Sequence, residues 1–506
     1  MKGSLLKSAG IVSLSIFGSR VLGLLRDIVI ASTFGAGTLT DVFFVAFRIP
    51  NLLRRIFAEG SFNSAFVPAF TKKLKESVKE AEILAGQIFA ALLVLLTVTV
   101  VLGELLSPIV IKMVAPGFKG EKFTYAVKLL REMFPYIMLV SLTAFFGGIL
   151  NAFNRFFAPA FSTALFNLSL ILSALLLSGK LSIEALSIGV IAGGFLQVLL
   201  QLPFLRELPF KLRPIFSLSS EARRVLLNTI PGIFGFAVRQ ISMLIDTVIA
   251  SFLSAGAISY LYYANRFVQL PLGMFAIGLS QVLLPRLSRK VGEKDYRKEL
   301  EAGILLSSAI VIPSAVGLIF FGKPILDLFF NHGAFTEEDL TRTYAVLICY
   351  SVGLFFFSME KIVTNVYYSF EEFKIPVKVA AYTLLFNLIV NLVLCFGLGM
   401  GAPGLALGTS LTSMLNLLLL LLILKKRFKI EATETVFLKG GRYLLLSTPV
   451  ALLTLAASSV YGRAEGLAEK VFIVVLTVFL SGALYGALLF LIKDPLIRTL
   501  TEKEEA

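Results

Sequence analysis

The first two apolar stretches of this 506-residue chain carry seven charged side chains. They are Arg20, Arg26, Asp27, Arg48, Arg54, Arg55 and Glu59. A charge near the centre of a membrane-spanning helix costs roughly 2.5–3.5 kcal/mol, so such residues normally face water or a partner rather than lipid. Arginine predominates, and its planar guanidinium binds phosphate or carboxylate through two parallel hydrogen bonds. We therefore predict a buried site for an anion.

The composition is that of a membrane protein. Hydrophobic residues make up 57% of the chain and charged residues 16%, and the mean hydropathy is +0.87, which leaves too little polar surface for a soluble globule. Runs of about 20 apolar residues predict an all-α polytopic protein with fourteen membrane-spanning helices. Lysine and arginine are concentrated in alternate loops on the side of the N-terminus, so we expect both termini to be cytoplasmic.

The net charge of +15 is explained by a basic inner face beside anionic lipid headgroups. No module of basic and aromatic residues stands apart from the predicted spans. We therefore expect membrane lipids, and not nucleic acid, as the partners of the basic residues.

An internal repeat relates the two halves of the chain. The segment 27–32 (DIVIAS) recurs at 246–251 as DTVIAS, and Arg20 recurs in the same register as Arg239. Six predicted spans separate the two copies, so both enter the membrane from the same side. Parallel repeats of this kind occur in transporters that expose a central site alternately to each side of the membrane.

The repeat predicts three parts. Residues 1–220 form a first lobe of six helices, residues 221–430 form a second lobe of six as its parallel repeat, and residues 431–506 add a helix pair with no counterpart. The extra arginines are confined to the first lobe, which predicts an asymmetric cavity.

Three arginines on three helices are the main candidates for anion ligands: Arg26, Arg54 and Arg266. We expect Arg26 and Arg266 at about the same depth and Arg54 deeper in the membrane. A neighbouring acid could instead neutralise any one of them. We favour the ligand interpretation because arginines outnumber acids in these spans. Arg55 and Glu59, one helical turn apart, are expected to pair.

Arg20 and Asp27 lie on one face of a helix, two turns apart, and Arg239 and Asp246 repeat this arrangement. A pair present in both lobes favours a structural role, in which each lobe's first helix is tied to a neighbour.

Asp246 also admits a second role, as part of a cation site. Asn387 and Asn391 share a face of the eleventh predicted span, and Thr409 and Ser413 share a face of the twelfth. Their oxygens are ligands of the kind that a hard cation such as Na⁺ requires. Hydrogen bonding between helices explains the same residues, and both interpretations stay open.

Signatures of enzymes are absent from the sequence, which has no GxxxxGK[ST] loop, no HExxH and no acidic metal cluster. We therefore expect no cofactor apart from a Na⁺ coupling ion, and an ion gradient or the membrane potential as the source of energy. Glu360 and Lys361 are expected to pair with other helices rather than with each other. Cys349 and Cys395 are expected to be packing residues.

Several motifs closely resemble those of the MurJ (MviN) family of lipid II flippases, which belongs to the multidrug/oligosaccharidyl-lipid/polysaccharide exporter superfamily. They stand at 19–27 (SRVLGLLRD), 50–55 (PNLLRR), 65–68 (AFVP), 263–266 (YANR) and 269–273 (QLPLG). The resemblance extends along the chain. It implies a fourteen-helix transporter of the inner membrane that moves the undecaprenyl-pyrophosphate-linked disaccharide–pentapeptide to the outer leaflet. We expect it to act as a monomer.

The resemblance also implies roles for single residues. It places six of them in or beside the central cavity: Arg20, Arg26, Asp27, Asp41, Arg54 and Arg266. Arg48 completes the predicted substrate-binding set. For Arg20 this opposes the structural role above, and both stay open. The family's last two helices form a groove for the lipid tail, which suits residues 431–506, and Asn391 stands where some Na⁺-dependent relatives carry an acid.

Two other functions stay open from sequence alone. One is export of another lipid-linked oligosaccharide by the same type of transporter. The other is a membrane enzyme acting on polyprenyl pyrophosphates, which would require acidic or histidine groups near the arginines, and these are scarce.

Overall fold

The computed structural model of the chain describes residues 2–54, 61–293 and 295–495. Within them every regular element is helical and no strand occurs, which confirms the all-α prediction. The predicted pair of Arg55 and Glu59 lies outside the described residues, as does the side chain of Arg239. The chain divides into two compact units, Met1–Ser259 and Tyr260–Ala506.

The first unit contains helices α1 to α9, and α10 begins at its end and continues into the second unit. Their bounds are α1 Lys2–Phe34, α2 Thr38–Arg54, α3 Ser61–Glu76, α4 Val78–Val114, α5 Gly120–Met133, α6 Tyr136–Ala152, α7 Phe157–Leu181, α8 Glu184–Arg206, α9 Ser220–Ala250 and α10 Ala257–Pro271.

The second unit continues with α11 to α18. Their bounds are α11 Gly278–Arg289, α12 Tyr296–Phe330, α13 Glu337–Ser369, α14 Lys374–Leu392, α15 Ala402–Phe428, α16 Gly440–Leu446, α17 Thr448–Tyr461 and α18 Leu467–Leu491, with π-helical turns at Leu272–Ile277, Val393–Gly397 and Thr435–Lys439.

The chain is a multi-pass membrane protein. Among the described residues, ten helical segments are long and apolar enough to cross a membrane, and the bent pair Thr435–Leu446 and Thr448–Tyr461 makes an eleventh if it is one span. Helices α1, α2 and α9 are not among them. The count of fourteen stays a prediction.

Helix α9 packs against α3 and α4 and belongs to the first compact unit. In the sequence repeat the same helix opens the second lobe. The predicted lobes at 1–220 and 221–430 and the pair at 431–506 rest on that repeat, and they stay predictions.

The core of the second unit lies where α13 packs against α15. Met359, Val363 and Tyr367 recur at helical spacing on α13 and are fully buried against Leu417 and Leu421 of α15. This spacing gives α13 a continuous apolar face, which explains why it packs along much of its length.

The segment between α8 and α9 is extended and lies along α4. The Ile215 amide donates to the carbonyl oxygen of Gly86 at 3.0 Å, and the Lys211 amide donates to the Glu82 carboxylate at 2.6 Å. A Cβ atom at Gly86 would overlap the carbonyl oxygen of Arg213, so this close approach requires glycine. The contact fixes the start of α9.

We expect Gly86→Ala to lower the free energy of unfolding by about 1–3 kcal/mol, because the linker must move away from α4 to admit the methyl group. Thermal unfolding of the purified protein in detergent measures the effect. Gly179→Ala is the matched control, since nothing lies within 4 Å of a Cβ at that helical position. Equal melting temperatures for the two variants would contradict the proposed contact.

Candidate functional site

Arg26 lies on α1 and is only 9% exposed, and its guanidinium is held from two helices. Nη2 and Nε donate to Oδ1 of Asp27 at 2.7 and 3.0 Å, and Nη1 donates to Oδ1 of Asn167 on α7 at 3.0 Å. The Asn167 amide group donates in turn to the Ser19 carbonyl oxygen at 3.1 Å. The ion-pair interpretation, which the sequence analysis ranked second, therefore holds for Arg26 in this structure.

Arg20 is exposed and makes no hydrogen bond or ion pair with any residue that the structure describes. The structural role that the sequence analysis favours for Arg20, in which it ties α1 to a neighbouring helix, therefore stays a prediction. The Asp27 carboxylate is buried and contacts the adjacent arginine.

Arg48 connects α2 to α9. Its Nη1 donates to the carbonyl oxygen of Met243 at 3.2 Å and to the hydroxyl of Thr247. The Thr247 hydroxyl donates to the same Met243 carbonyl at 2.6 Å. Arg48 thus contacts the helical turn that carries Asp246, whose side chain is half-buried.

Arg54 lies in the last turn of α2, one turn after the buried Pro50. Its Nε donates to Oδ1 of Asn51 at 3.0 Å, and its side chain is half-buried. An amide oxygen orients a guanidinium without cancelling its charge. Arg26, Arg48 and Arg54 all belong to the first compact unit.

Asp41, in the first turn of α2, is 1% exposed and surrounded by donors. Oδ2 accepts from the Gly256 amide at 2.8 Å, and Oδ1 accepts from the amide and hydroxyl of Ser259 at 2.9 and 2.8 Å. The Lys122 ammonium lies 3.7 Å from Oδ2. These amides open α10, so the carboxylate caps the positive end of that helix. We call this arrangement the Asp41 contact.

Gly256 takes part in the Asp41 contact with a φ of +89°, a conformation that residues with a Cβ rarely adopt. The sequence analysis assigned Asp41 to substrate binding. The structure gives it a capping role between α2 and α10, and its role as a substrate ligand stays a prediction.

Arg266 lies on α10 in the second unit and is half-buried. Its guanidinium carbon is 4.4 Å from the centre of the Tyr262 ring, and its Nη2 also contacts the Tyr262 hydroxyl. A cation–π contact holds the side chain in one place and keeps its full charge.

The predicted cation ligands of the second unit lie where α14 packs against α15. The Asn391 amide group donates to Oδ1 of Asn387 at 3.1 Å, and the Asn387 amide group donates to the Thr412 hydroxyl at 3.1 Å. Thr409 instead donates to the Leu405 carbonyl oxygen of its own helix at 2.9 Å. Thr412, rather than the predicted Thr409, therefore joins the asparagines.

The other side chains that commonly bind metal ions are His, Cys, Asp and Glu. The described residues contain no group of three or more His, Cys, Asp or Glu side chains that could hold a metal ion. Helix–helix hydrogen bonding accounts for the observed contacts of Asn387 and Asn391. The Na⁺ site stays a prediction.

Glu360 on α13 accepts a hydrogen bond from the Ser413 hydroxyl on α15 at 2.8 Å. The prediction that Glu360 pairs with another helix is confirmed. Cys349 is partly buried, and Cys395 is buried with its Sγ 3.2 Å from the carbonyl oxygen of Gly401.

Among the residues of the site that the sequence analysis missed are Asn167, Ser259 and Tyr262. Asn167 could have been found, because an amide inside a strongly apolar span needs a partner. Tyr262 precedes Arg266 by one helical turn, which is the spacing of side-chain pairs on a helix. Ser259 offers no such signal, since its role depends on where α10 begins in space.

Asp27→Asn should destabilise the protein by about 3–5 kcal/mol, because it leaves the Arg26 guanidinium buried without its carboxylate. Thermal unfolding in detergent tests this. Glu76→Gln is the matched control: it removes one acid from the exposed pair of Lys73 and Glu76, 2.9 Å apart, and should cost less than about 1 kcal/mol. If both variants melt like the parent, Asp27 does not neutralise Arg26.

Comparison with known proteins identifies the family of the chain. The family model described as "Lipid II flippase MurJ" matches residues 30–481. A relative from Buchnera aphidicola subsp. Acyrthosiphon pisum (strain APS), named "Probable lipid II flippase MurJ", is 39% identical over 89% of this chain and 90% of its own length.

Solved structures share the fold. "Lipid II flippase MurJ, inward closed conformation" matches with a TM-score of 0.76 at 28% identity, over 96% of this chain and 99% of that one. A multidrug resistance MATE family transporter of the MOP superfamily, in an inward-facing conformation, matches with a TM-score of 0.65 over 85% of this chain and 96% of its own length, at 12% identity, a likeness of fold alone. A family model that covers most of the sequence decides the assignment: the chain belongs to the MurJ family of lipid II flippases.

Proposed function

We propose that this protein is a lipid II flippase of the cytoplasmic membrane. It moves the undecaprenyl-pyrophosphate-linked peptidoglycan precursor from the inner to the outer leaflet by alternating access. The proposal rests on the excess of arginines over acids in the first two helices of this MurJ-family chain. The arginines are Arg20, Arg26, Arg48 and Arg54, and the acids are Asp27 and Asp41. A pyrophosphate is the part of the substrate that guanidinium groups recognise.

Arg26 enters this mechanism through exchange of partners. Without substrate, Asp27 and Asn167 accept its hydrogen bonds. An arriving pyrophosphate oxygen takes the place of the neutral Asn167 amide oxygen, so the guanidinium always has an acceptor in the membrane and the Asp27 carboxylate keeps its counterion. Such an exchange allows binding and release with a small change in free energy, which a transporter needs.

Arg54 and Arg266 are the arginines whose described contacts suit direct binding. An amide oxygen orients Arg54, and an aromatic ring orients Arg266. Pre-oriented donors lose less entropy when they bind a doubly charged headgroup.

The Asp41 contact ties α2 to the start of α10. We infer that it closes the outer side of the transporter and must break before the headgroup leaves. Hydrogen bonds from two amides and a hydroxyl are individually weak enough to break and to re-form in each cycle.

The remaining architecture follows from the same proposal. The chain forms fourteen spans with both termini in the cytoplasm and acts as a monomer, and residues 431–506 carry the polyprenyl tail. Asp246, Asn387 and Asn391 would provide oxygen ligands for a Na⁺ coupling ion. Replacing Na⁺ by K⁺ during transport tests that part separately.

Translocation of lipid II in proteoliposomes tests the proposed function. Arg54→Ala and Arg266→Ala should each slow it by about tenfold or more, since a hydrogen bond between charged groups contributes about 1.5–3 kcal/mol. Arg223→Ala, at an exposed position of α9, is the control and should transport normally. A folded triple variant of Arg26, Arg54 and Arg266 that transports at the parent rate would refute the anion site.

Asp41→Asn should open the outer side more often, because an amide cannot accept all the hydrogen bonds that the carboxylate accepts. The rate at which a membrane-impermeant maleimide labels Ala257→Cys measures how often the outer side opens, because this position is only 1% exposed in the structure. We expect labelling to increase severalfold in the Asp41→Asn background. The exposed Thr38→Cys should label equally in both backgrounds. Unchanged labelling of Ala257→Cys would mean that the contact does not control access.

A further inference from the structure

The end of α12 is joined to the last two helices of the chain through Asp327. Oδ2 of this carboxylate accepts from the Tyr461 hydroxyl at 2.7 Å and from the Lys470 ammonium at 2.9 Å, and Oδ1 accepts from the Asn331 amide group at 2.6 Å. Tyr461 ends α17 and Lys470 lies in the first turn of α18. One carboxylate thus connects three helices.

The position of Asp327 is unfavourable for α12 itself. It lies in the last turn of that helix, where the aligned peptide dipoles present partial negative charge. A carboxylate there does not stabilise its own helix. The favourable interactions of the Asp327 carboxylate come from Tyr461 and Lys470 on other helices, which points to a role in joining helices.

The opposite end of α12 has a second set of polar contacts. Glu301, near the start of α12, pairs with Lys439, just before α16. Asp494, which follows α18 and is fully buried, accepts from the Tyr443 hydroxyl at 2.9 Å and pairs with Arg442 at 2.9 Å. The C-terminal helices α16 to α18 therefore have polar contacts near both ends of α12.

Apolar side chains fill the space between the two polar ends. Near the start of α12, Leu305, Ala309 and Ile312 share a buried cluster with Tyr443 and Val450. Near its end, Phe321 shares a buried cluster with Tyr461, Ile473 and Val474. Buried clusters at both ends leave α16 to α18 little freedom to slide along α12.

We propose that Asp327, together with Lys470 and Tyr461, positions the C-terminal helices so that α12 and α16 to α18 move as one body during transport. This rests on the proposed function, because it assigns a motion to the segment that would carry the polyprenyl tail. The tail-binding surface then travels with α12 and does not act as an independent flap.

Distances between spin labels test the proposal directly. Phe320→Cys on α12 and Phe472→Cys on α18 are exposed positions, and the background replaces Cys349 and Cys395 by serine. We expect one narrow distance distribution that lipid II does not change. A distribution that is broad, or that shifts when lipid II is added, would overturn the proposal. The measurement needs no transport activity, so it stays informative even if translocation assays refute the proposed function.

Variants of the polar contact give a second test. Asp327→Asn should broaden the distribution and slow translocation by about fivefold, while the affinity for lipid II stays unchanged. Exchange of the two charges, by Asp327→Lys with Lys470→Asp, should restore a narrow distribution. Asp295→Asn is the control, because it removes the acid of an exposed pair with Lys298 at 2.9 Å. Parent-like distances and rates for Asp327→Asn would contradict a positioning role.

Discussion

A guanidinium keeps its proton inside a membrane protein, so each buried or half-buried arginine in α1 and α2 must find hydrogen-bond acceptors wherever the chain folds. Arg26 finds them on its own helix and on α7, Arg48 on α9, and Arg54 on its own helix. This requirement selects the helices that can pack against α1 and α2. In the proposed mechanism a phosphate oxygen replaces one of these acceptors, so the contacts that the fold requires are also the ones that the proposed anion site uses.

Acids obey the complementary constraint. The Asp41 carboxylate needs donors and finds them at the start of α10, whose first amides have no acceptor within the helix. Asp327 finds an ammonium and a hydroxyl on α17 and α18. In each case a charge that is costly in an apolar environment joins helices that are distant in sequence. Each of these carboxylates therefore holds its helices together in this structure.

The sequence predicted the all-α membrane class of the structure, because that class depends on residue types taken singly, while the anion site stays a prediction. Desolvation of an arginine is costly whatever surrounds it, and the apolar composition requires a membrane. The partners were harder to predict, because they depend on how helices rotate and pack. Thr409 and Thr412 differ by three residues on one helix, yet only Thr412 meets Asn387. Asn167 meets Arg26 only because α1 and α7 are neighbours.

The central claim is that guanidinium groups recognise the charged headgroup. The most direct test measures two affinities of the protein in lipid nanodiscs, one for undecaprenyl pyrophosphate and one for uncharged undecaprenol. We expect much tighter binding of the pyrophosphate lipid than of the uncharged lipid. The variant with Arg54→Gln and Arg266→Gln should lose this preference for the pyrophosphate lipid. Equal affinity for the two lipids, or a preference that survives both substitutions, would contradict it.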